Sequence, residues 1–502
     1  MELIKDLIEL SKKNDSIFPY QDLCGDDLYS SEKGKILMKA ILEGEVKSDV
    51  QGIKLLFAEN QDNAYRKTKF RLKEDLLSYF SGINLRAVRK AGTTYHKRIY
   101  LRAKLQVMVL LQRNGLHIGG VKLAHKICEE AALLDDKLAE VEALEYISYY
   151  YCQKKIDGKK LRKCHEKLKQ AIGEFYSIQK GILIYRESIM PLTKILSPSE
   201  ETIENLYVSA QQIQELDEND SSDQLKFWYN ILLSHYYLFK KSFHKQQNIA
   251  LEAAEYFRKT GYRNGHAEGT FLKHALEGLI HLRHFDKGED LYRRGCKVTS
   301  PNSLSRFNLD SCYVVLLMHQ KDFLTAAELL EKLAEQLNKQ LHSSARRAFI
   351  FLLIGYAHVA IKVFHKGEEF NLPRIKAFKP GIYENYQTDF KTDKAGMHLS
   401  FLLLRNLFRI VNDEKEKVIK DMEAFDRYLR RYELTVNDFK LAKFYELKKK
   451  YFKSHAMRKK LKEQVDIDCE ELRNISGRNY SGGLFYEIVP LEIQWKIYIE
   501  YA

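Results

Sequence analysis

The chain has 502 residues, too many for one compact core of ordinary size, so it forms either several domains or a repeat array whose core grows along its length. Hydrophobic residues make up 45% of the chain, which excludes global disorder, and only 7 residues are Pro and 25 are Gly, so helix breakers are scarce. The formal net charge of +14 favours anionic partners, although 30% charged residues of both signs is also an ordinary soluble surface.

Residues 1–90 predict a small N-terminal helical region. The chain begins with an amphipathic, charged segment that has no apolar signal-peptide core. Residues 46–80 then predict a short helix, a polar turn at residues 59–62 and a longer helix with an apolar stripe. The other faces of that longer helix are basic, and they carry Arg66, Lys67, Lys69, Arg71 and Lys73.

The longer helix contains the pattern NAYRKTKFRLKEDLL at residues 63–77. Together with the short helix and turn before it, this pattern is similar to the helix-turn-helix of transcription regulators that join such a domain to helical repeats. The resemblance implies that the longer helix binds DNA. No hairpin wing follows it, because residues 82–104 lead directly into another helix.

A second basic stretch extends this region. Eight Lys, Arg and His residues fall between residues 86 and 104, with Tyr95 and Tyr100 interleaved and no acidic residue among them. Such a stretch either binds phosphates or is a solvated helix face whose long side chains cover apolar surface. The candidate nucleic-acid contacts are Arg66, Lys67, Lys69, Arg71, Arg86, Arg89, Lys90, Lys97, Arg98 and Arg102.

Residues 91–367 predict a series of paired amphipathic helices. Three segments share one design, in which an aromatic-rich helix, a short polar turn ending in Phe and a second helix follow one another. Their turn residues Phe243, Phe285 and Phe323 lie 42 and then 38 residues apart. Each hairpin leaves an apolar face that only its neighbours can cover, which predicts stacked helical hairpins.

The best-formed of these turns, residues 321–326, reads KDFLTA and is followed by Leu330 and Leu333 in the second helix. Residues 225–340 therefore resemble tetratricopeptide-type repeats. The resemblance implies a right-handed α-solenoid of antiparallel helical hairpins that binds a protein or peptide on its concave face. The candidate partner-binding residues of that face are Asn230, Tyr237, His274, His281 and Tyr313.

The rest of the chain predicts three further parts. Residues 368–396 form an aromatic-rich irregular loop that either packs back onto the helices or meets a partner. Residues 397–470 are helical, and residues 440–462 hold ten Lys or Arg against one Glu, which indicates a solvated face or a polyanion site. Residues 471–502 end in an apolar segment, either a cap on the last helices or a docking tail.

No motif in the sequence predicts enzymatic activity or a metal site. His274, Glu277, His281 and His284 share one broad helix face, but a single helix rarely supplies a whole metal site. Phosphate-loop, dinucleotide, nucleophile-elbow and zinc-protease motifs are absent from the sequence. The most apolar run, residues 348–361, is shorter than the about 20 residues of a membrane span. We therefore expect no enzymatic activity, no metal, no cofactor and no membrane span.

Two functions remain. The first is a non-enzymatic interaction scaffold that binds a protein or peptide partner through the helical groove. The alternative is a nucleic-acid-binding regulator that uses the basic N-terminal region, with the solenoid as its sensor or oligomerisation part. The seven Cys form no CxxC pair, which indicates reduced thiols and a cytoplasmic location. The Lys-, Ile- and Tyr-rich composition suggests a bacterial origin.

Overall fold

The computed structural model describes residues 2–13, 23, 25, 28–57, 61–82, 94–193, 198–220, 222–301, 303–339, 344–368, 370–379, 381, 397–431, 439–453, 455–475 and 487–501. All regular secondary structure within these residues is helical, so the predicted all-α class is confirmed. The chain divides into two compact units, Met1–Gln179 (unit 1) and Lys180–Ala502 (unit 2). The solenoid arrangement stays a prediction, and the predicted boundary near residue 90 falls on residues 83–93, outside the described part.

Unit 1 begins with four helices that pack together. They are α1 (Glu2–Lys13), α2 (Glu32–Leu42), α3 (Asp49–Leu56) and α4 (Asp62–Ser81). Ser48 and Gln51 close a capping box that starts α3, and Gly82, in the left-handed conformation, ends α4. The ring of Tyr65 on α4 lies where a side chain on Gly52 would stand, so the Gly lets α3 and α4 approach closely.

Three further helices and the start of a fourth complete unit 1. They are α5 (Thr94–Arg113), α6 (His117–Leu134), α7 (Lys137–Tyr149), which continues into a π-helical turn at Tyr150–Lys154, and α8 (Gly158–Ile189). The boundary between the two units falls within α8. Leu7, Leu72, Leu101 and Leu123, from four different helices, are fully buried in one core. These described residues form one hydrophobic core that fixes α4, α5 and α6 relative to one another.

Unit 2 continues with a series of helices in which neighbours in sequence contact each other. They are α9 (Glu200–Asp220), α10 (Asp223–Phe239), α11 (Phe243–Thr260), α12 (His266–Leu282), α13 (Gly288–Val298), α14 (Leu304–Gln320), α15 (Phe323–Lys339) and α16 (Ser344–Phe364). Short turns and direct contact make the pairs α10–α11, α12–α13 and α14–α15 helical hairpins. These are the three hairpins that the Phe spacing predicts.

One turn geometry recurs in the three hairpins. Lys241, Arg283 and Lys321 each end a first helix with a positive φ of 59°, 58° and 67°. The next residue donates its amide to the carbonyl five residues earlier, which is the Schellman arrangement. These bonds join Ser242 to Tyr237, His284 to Leu279 and Asp322 to Leu317, at 2.9, 3.1 and 3.0 Å. A shared backbone turn, and not only a shared hydrophobic pattern, therefore unites the three hairpins.

Aromatic side chains from the first hairpins form a core in unit 2. Phe257 and Phe271 stack with ring centroids 5.4 Å apart, and Phe227 meets both rings edge-on. Tyr262 packs against Phe257 at the end of the same cluster. Aromatic pairs of this kind add about 1 kcal/mol each beyond the area that they bury.

Helix α16 is the one helix, among the described residues, long and apolar enough to cross a membrane by length and composition. Its candidate window covers residues 346–364, and 61% of that window is buried inside the protein. Tyr356, on this helix, is 1% exposed and donates its hydroxyl to the carbonyl of Ser400. Core helices of soluble proteins also meet the length and composition criterion.

The predicted aromatic-rich loop lies mostly outside the described residues. Its described part contains a single turn of helix, α17 (Pro373–Lys376), followed by Phe378. Phe378 is buried against Phe351, His358 and Phe408, so this part of the loop packs onto the helices.

The last helices of unit 2 enclose the C-terminal segment. They are α18 (Met397–Val411), α19 (Lys415–Arg431), α20 (Phe439–Lys453), α21 (His455–Glu463), α22 (Val465–Asn474) and α23 (Leu491–Tyr501). Helix α23 contacts α18, α20 and α22, and Trp495 and Tyr498 on it are fully buried. The described end of the chain is therefore a helix that packs inside unit 2.

Candidate functional site

A basic cleft opens in unit 1 where α4, α5 and α6 meet. Its volume is about 850 Å³. Helix α4 lines it with Arg66, Lys69, Phe70, Lys73, Glu74 and Leu77, helix α5 with His96, Lys97, Tyr100 and Lys104, and helix α6 with Lys126, Glu130, Leu133 and Leu134. We call this set of residues the basic cleft.

Positive charge dominates the basic cleft. Six Lys and Arg residues face two Glu residues, which gives a net charge of +4 with His96 neutral. Two of the cations are paired, because Lys69 binds Asp49 at 2.7 Å and Lys104 binds Glu130 at 2.5 Å. The remaining four, which have no carboxylate partner within the described part of the chain, are Arg66, Lys73, Lys97 and Lys126.

Lys73, Lys104 and Lys126, which we call the inner lysines, line the same cleft, and the charges of Lys104 and Lys126 act on Lys73. The Lys104 side chain is only 5% exposed, and its burial lowers its pKa although Glu130 acts in the opposite direction. The pKa of Lys73 is lowered to about 8, chiefly by burial and in addition by the charges of Lys126 and Lys104. Like charges held together in a partly buried place destabilise each other, so an anion between them would be bound favourably.

Apolar and aromatic side chains form the rest of the cleft wall. Phe70 is 43% exposed at the surface of α4, and Leu133 is exposed on α6. Tyr100 donates its hydroxyl to Glu74 at 3.3 Å, and the Lys104 ammonium lies 4.1 Å from its ring centroid. The cleft therefore combines cations with surfaces on which a planar group can stack.

The exposed face of α4 continues the positive surface. Tyr65, Thr68 and Leu72 point into the core of unit 1, so the opposite face of the helix is left to solvent. That opposite face, which we call the outer face of α4, carries Asn63, Arg66, Lys67, Phe70 and Arg71. Helix α4 thus follows α3 in the chain, with its basic residues on the exposed side, and the predicted turn at residues 59–62 lies mostly outside the described residues.

The structure brings together some of the ten predicted nucleic-acid contacts. Arg66, Lys69 and Lys97 line the basic cleft, and Lys67 and Arg71 lie on the outer face of α4. Two others make contacts within unit 1, since Arg98 donates to the Leu134 carbonyl at 3.0 Å and Arg102 to Asp136 at 2.7 Å. Arg86, Arg89 and Lys90 lie outside the described residues.

Sequence reasoning missed Lys126 and Glu130, which α6 contributes to the cleft. They belong to a segment of mixed charge, residues 117–134, whose pattern indicates only a packed helix. Lys126 and Glu130 are four residues apart and so share one helix face, but nothing in the sequence pairs that face with α4 and α5. Tertiary packing alone assembles the third wall of the cleft.

The five predicted partner-binding residues lie on three helices of unit 2. Asn230 bonds to the Lys226 carbonyl at 2.8 Å, and the Lys245 ammonium lies 5.7 Å from the ring of Tyr237. His281 stacks on Phe243 with centroids 4.3 Å apart. Their role in binding stays a prediction.

Two of those five residues are buried. His274 is 6% exposed and contacts Glu277 at 3.0 Å, and burial lowers its pKa. Tyr313 stacks on Tyr292 with ring centroids 3.8 Å apart. A partner would have to displace these contacts to reach either side chain. Within the described residues, no group of three His, Cys, Asp or Glu is arranged to hold a metal ion.

The basic stretch at residues 440–462 differs from the cleft because several of its charges have partners in unit 2. Lys440 pairs with Glu487 and Glu492, and Lys443 and Lys450 pair with Glu471 and Glu446. Lys448 is buried and donates to Asn406. Four lysines of this stretch therefore have partners within unit 2, and Lys440 and Lys448 are buried, so we regard the basic cleft as the stronger candidate for binding an anion.

Comparison with known proteins finds no matching family model, no similar curated protein and no similar solved structure. The likeness to tetratricopeptide repeats and to helix-turn-helix regulators therefore stays an expectation from the sequence. The chemistry of the basic cleft is the basis on which a function is proposed.

Proposed function

We propose that the protein binds nucleic acid through the basic cleft and the outer face of α4. The observation that carries this proposal is the convergence of Arg66, Lys73, Lys97 and Lys126 on one cleft without carboxylate partners in the described part of the chain. Phosphate groups would neutralise these cations and release the counterions condensed on the nucleic acid. The binding is sensitive to salt and depends little on sequence.

The residue types on the outer face of α4 favour nucleic acid over other polyanions. Arg66, Lys67 and Arg71 supply phosphate contacts, and Asn63 supplies an amide that can bond to a base edge. Phe70 and Tyr100 add aromatic surface next to the cations, a combination typical of sites that stack bases. A purely electrostatic surface for an acidic protein would not require this aromatic component.

The second candidate function is the interaction scaffold, with unit 2 as the binding part. It is favoured by a groove of about 870 Å³ between α19 and α20, whose apolar lining includes Ile419, Met422, Tyr445 and Phe452. In that case the same chain would bind nucleic acid with unit 1 and a protein or peptide with unit 2. The helical hairpins of unit 2 would then serve as its sensor or oligomerisation part.

Charge reversal on the outer face of α4 tests the proposal. The full chain is titrated into labelled duplex DNA and single-stranded RNA at several salt concentrations, and binding is followed by fluorescence anisotropy. We expect the variant R66E/K67E/R71E to bind at least about tenfold more weakly than the wild type, because three phosphate contacts are lost. The slope of log affinity against log salt should fall by about one for each contact removed.

The matched control is R162E/K163E/K169E, which makes the same change in charge on exposed residues of α8. It should bind nearly as tightly as the wild type, since those residues lie outside the basic cleft. Equal losses in the two variants would mean that net charge alone drives association, and the site assignment would be wrong. Absence of binding by the wild type at low salt would contradict the function itself.

A further inference from the structure

The inner end of the basic cleft is formed by lysines. Lys73, Lys104 and Lys126 reach it from three different helices. Glu130 pairs with Lys104, so Lys73 and Lys126 are left without a carboxylate partner among the described residues. Lys73 and Lys126 line the same cleft from two different helices, and the charge of Lys126 acts on Lys73. Such a pair is a receptor for a small, doubly charged anion.

The charge of a phosphate depends on how it is linked. An internal phosphodiester of a strand carries one negative charge, whereas a phosphate monoester carries about −1.5 to −2 near pH 7. Two unpaired ammonium groups match the monoester, and an internal phosphodiester would leave one of them uncompensated. The inner lysines therefore fit a terminal phosphate better than a phosphate within the strand.

The size of the cleft supports the same conclusion. A volume of about 850 Å³ falls in the range of sites that enclose one small molecule, about 300–1,000 Å³, and it holds a single nucleotide unit but not a duplex. Tyr100, Phe70 and Leu77 line the cleft beside the inner lysines. An aromatic base attached to the bound phosphate would meet these side chains.

We infer that the basic cleft binds a phosphate monoester joined to a nucleoside, as found at the 5′ end of a phosphorylated nucleic-acid strand. The phosphate lies between Lys73, Lys104 and Lys126, and the base packs against Tyr100 and Phe70. This inference rests on the proposed function, since the strand that follows the terminal nucleotide lies along the outer face of α4. A free mononucleotide has the same chemistry and is the other source of such a group.

The test compares two short single-stranded DNA molecules that differ only at the 5′ end, one with a phosphate and one with a hydroxyl. Binding to the full chain is measured by anisotropy of a label at the 3′ end, with and without adenosine monophosphate as a competitor. We expect the phosphorylated strand to bind about tenfold more tightly or better, the effect of charge-assisted hydrogen bonds. K73Q and K126Q should each abolish that preference while the circular dichroism spectrum stays unchanged.

The control K163Q removes a charge from an exposed position on α8 and should keep the preference. Equal binding of the two strands would overturn the inference, and it would leave the proposed function intact if R66E/K67E/R71E still weakened both. Binding of adenosine monophosphate without either strand would support the monoester site and contradict nucleic-acid binding. Binding of none of the three would overturn both proposals.

Discussion

At the scale of single residues, Lys448 is the most unusual charged group of unit 2. It is 2% exposed, and its ammonium donates to Asn406. The ring centroids of Tyr498 and Phe444 lie 4.6 and 5.3 Å from it. Burial lowers the pKa of Lys448 to about 7, although the nearby Asp421 raises it. Cation–π contacts and one hydrogen bond therefore offset only part of the cost of burying this charge.

The depressed pKa of Lys448 makes a prediction about stability and pH. Between about pH 7 and the ordinary lysine value near 10.4 the unfolded chain binds more protons at this site, so this residue makes the protein more stable as pH rises. We expect K448M to unfold at a higher urea concentration than the wild type at pH 7, by a free energy on the order of a few kcal/mol. The difference should shrink at pH 9.

Tryptophan fluorescence suits this measurement, because Trp495 lies in the same aromatic cluster as Tyr498. The control K449M changes the neighbouring lysine, which is exposed, and should leave the midpoint nearly unchanged. A K448M variant that unfolds earlier than the wild type at pH 7 would show that the contacts of the ammonium outweigh its desolvation.

The sequence predicts only some of the residues that line the basic cleft, and the reason is physical. Arg66, Lys69 and Lys97 belong to basic runs, so local composition indicates them and the structure places them in the cleft. Arg102 belongs to the same run, but a carboxylate beyond the next helix, Asp136, binds it. Lys126 lies in a segment of mixed charge. Composition identifies charged residues, but only the packing of helices decides which of them meet without a partner.

At the scale of elements, the hairpin turns of unit 2 carry a conformational cost. Lys321 has a φ of 67°, a region in which a side chain costs about 1–2 kcal/mol and glycine costs almost nothing. It is exposed, and its backbone amide closes the turn on α14. We therefore expect K321G to raise the free energy of unfolding by about 0.5–1 kcal/mol, measured by urea denaturation.

The matched control is K332G, the same substitution at an exposed position inside α15. There the backbone is helical, so glycine should lower the free energy of unfolding by about 1 kcal/mol. The two substitutions should thus act in opposite directions. Destabilisation by both would contradict a left-handed backbone at Lys321.

The hydrophobic pattern predicts the helices of these hairpins better than their turns. An aromatic residue after a polar turn can be recognised in the sequence, and it marks the start of the second element in each hairpin. These residues are Phe243, Phe285 and Phe323. The left-handed residue before it is Lys241, Arg283 or Lys321, whereas glycine is the usual signal for this conformation. The π-helical turn at Tyr150–Lys154 has no sequence signal of its own.

At the scale of the whole molecule, some cations have carboxylate partners and others have none, and the two kinds are unevenly distributed. The formal net charge of +14 is a property of the entire chain, and it does not by itself locate a binding site. In unit 2, Lys440 pairs with Glu487 and Glu492, and Arg283 also pairs with Glu492. In unit 1, the basic cleft holds four cations that no described carboxylate binds. The proposed anion-binding function is therefore placed in unit 1.

The all-α class follows from the sequence because scarce Pro and Gly and a helical hydrophobic period act everywhere along the chain. The sequence does not predict the division into two units. The boundary between them falls within the continuous helix α8, where the sequence has no Pro-rich or Gly-rich linker. The predicted five-part division relies on changes in local composition. The division into compact units depends on which helices pack together, and local composition does not show which helices do so.

Photo-cross-linking of the full chain to a short 5′-phosphorylated DNA strand, followed by peptide mass spectrometry, tests the central claim most directly. We expect cross-links on α4 and α5, at residues around Phe70 and Tyr100, and their loss in R66E/K67E/R71E. Cross-links confined to residues 440–462, or spread evenly over the exposed lysines of both units, would contradict nucleic-acid binding in the basic cleft.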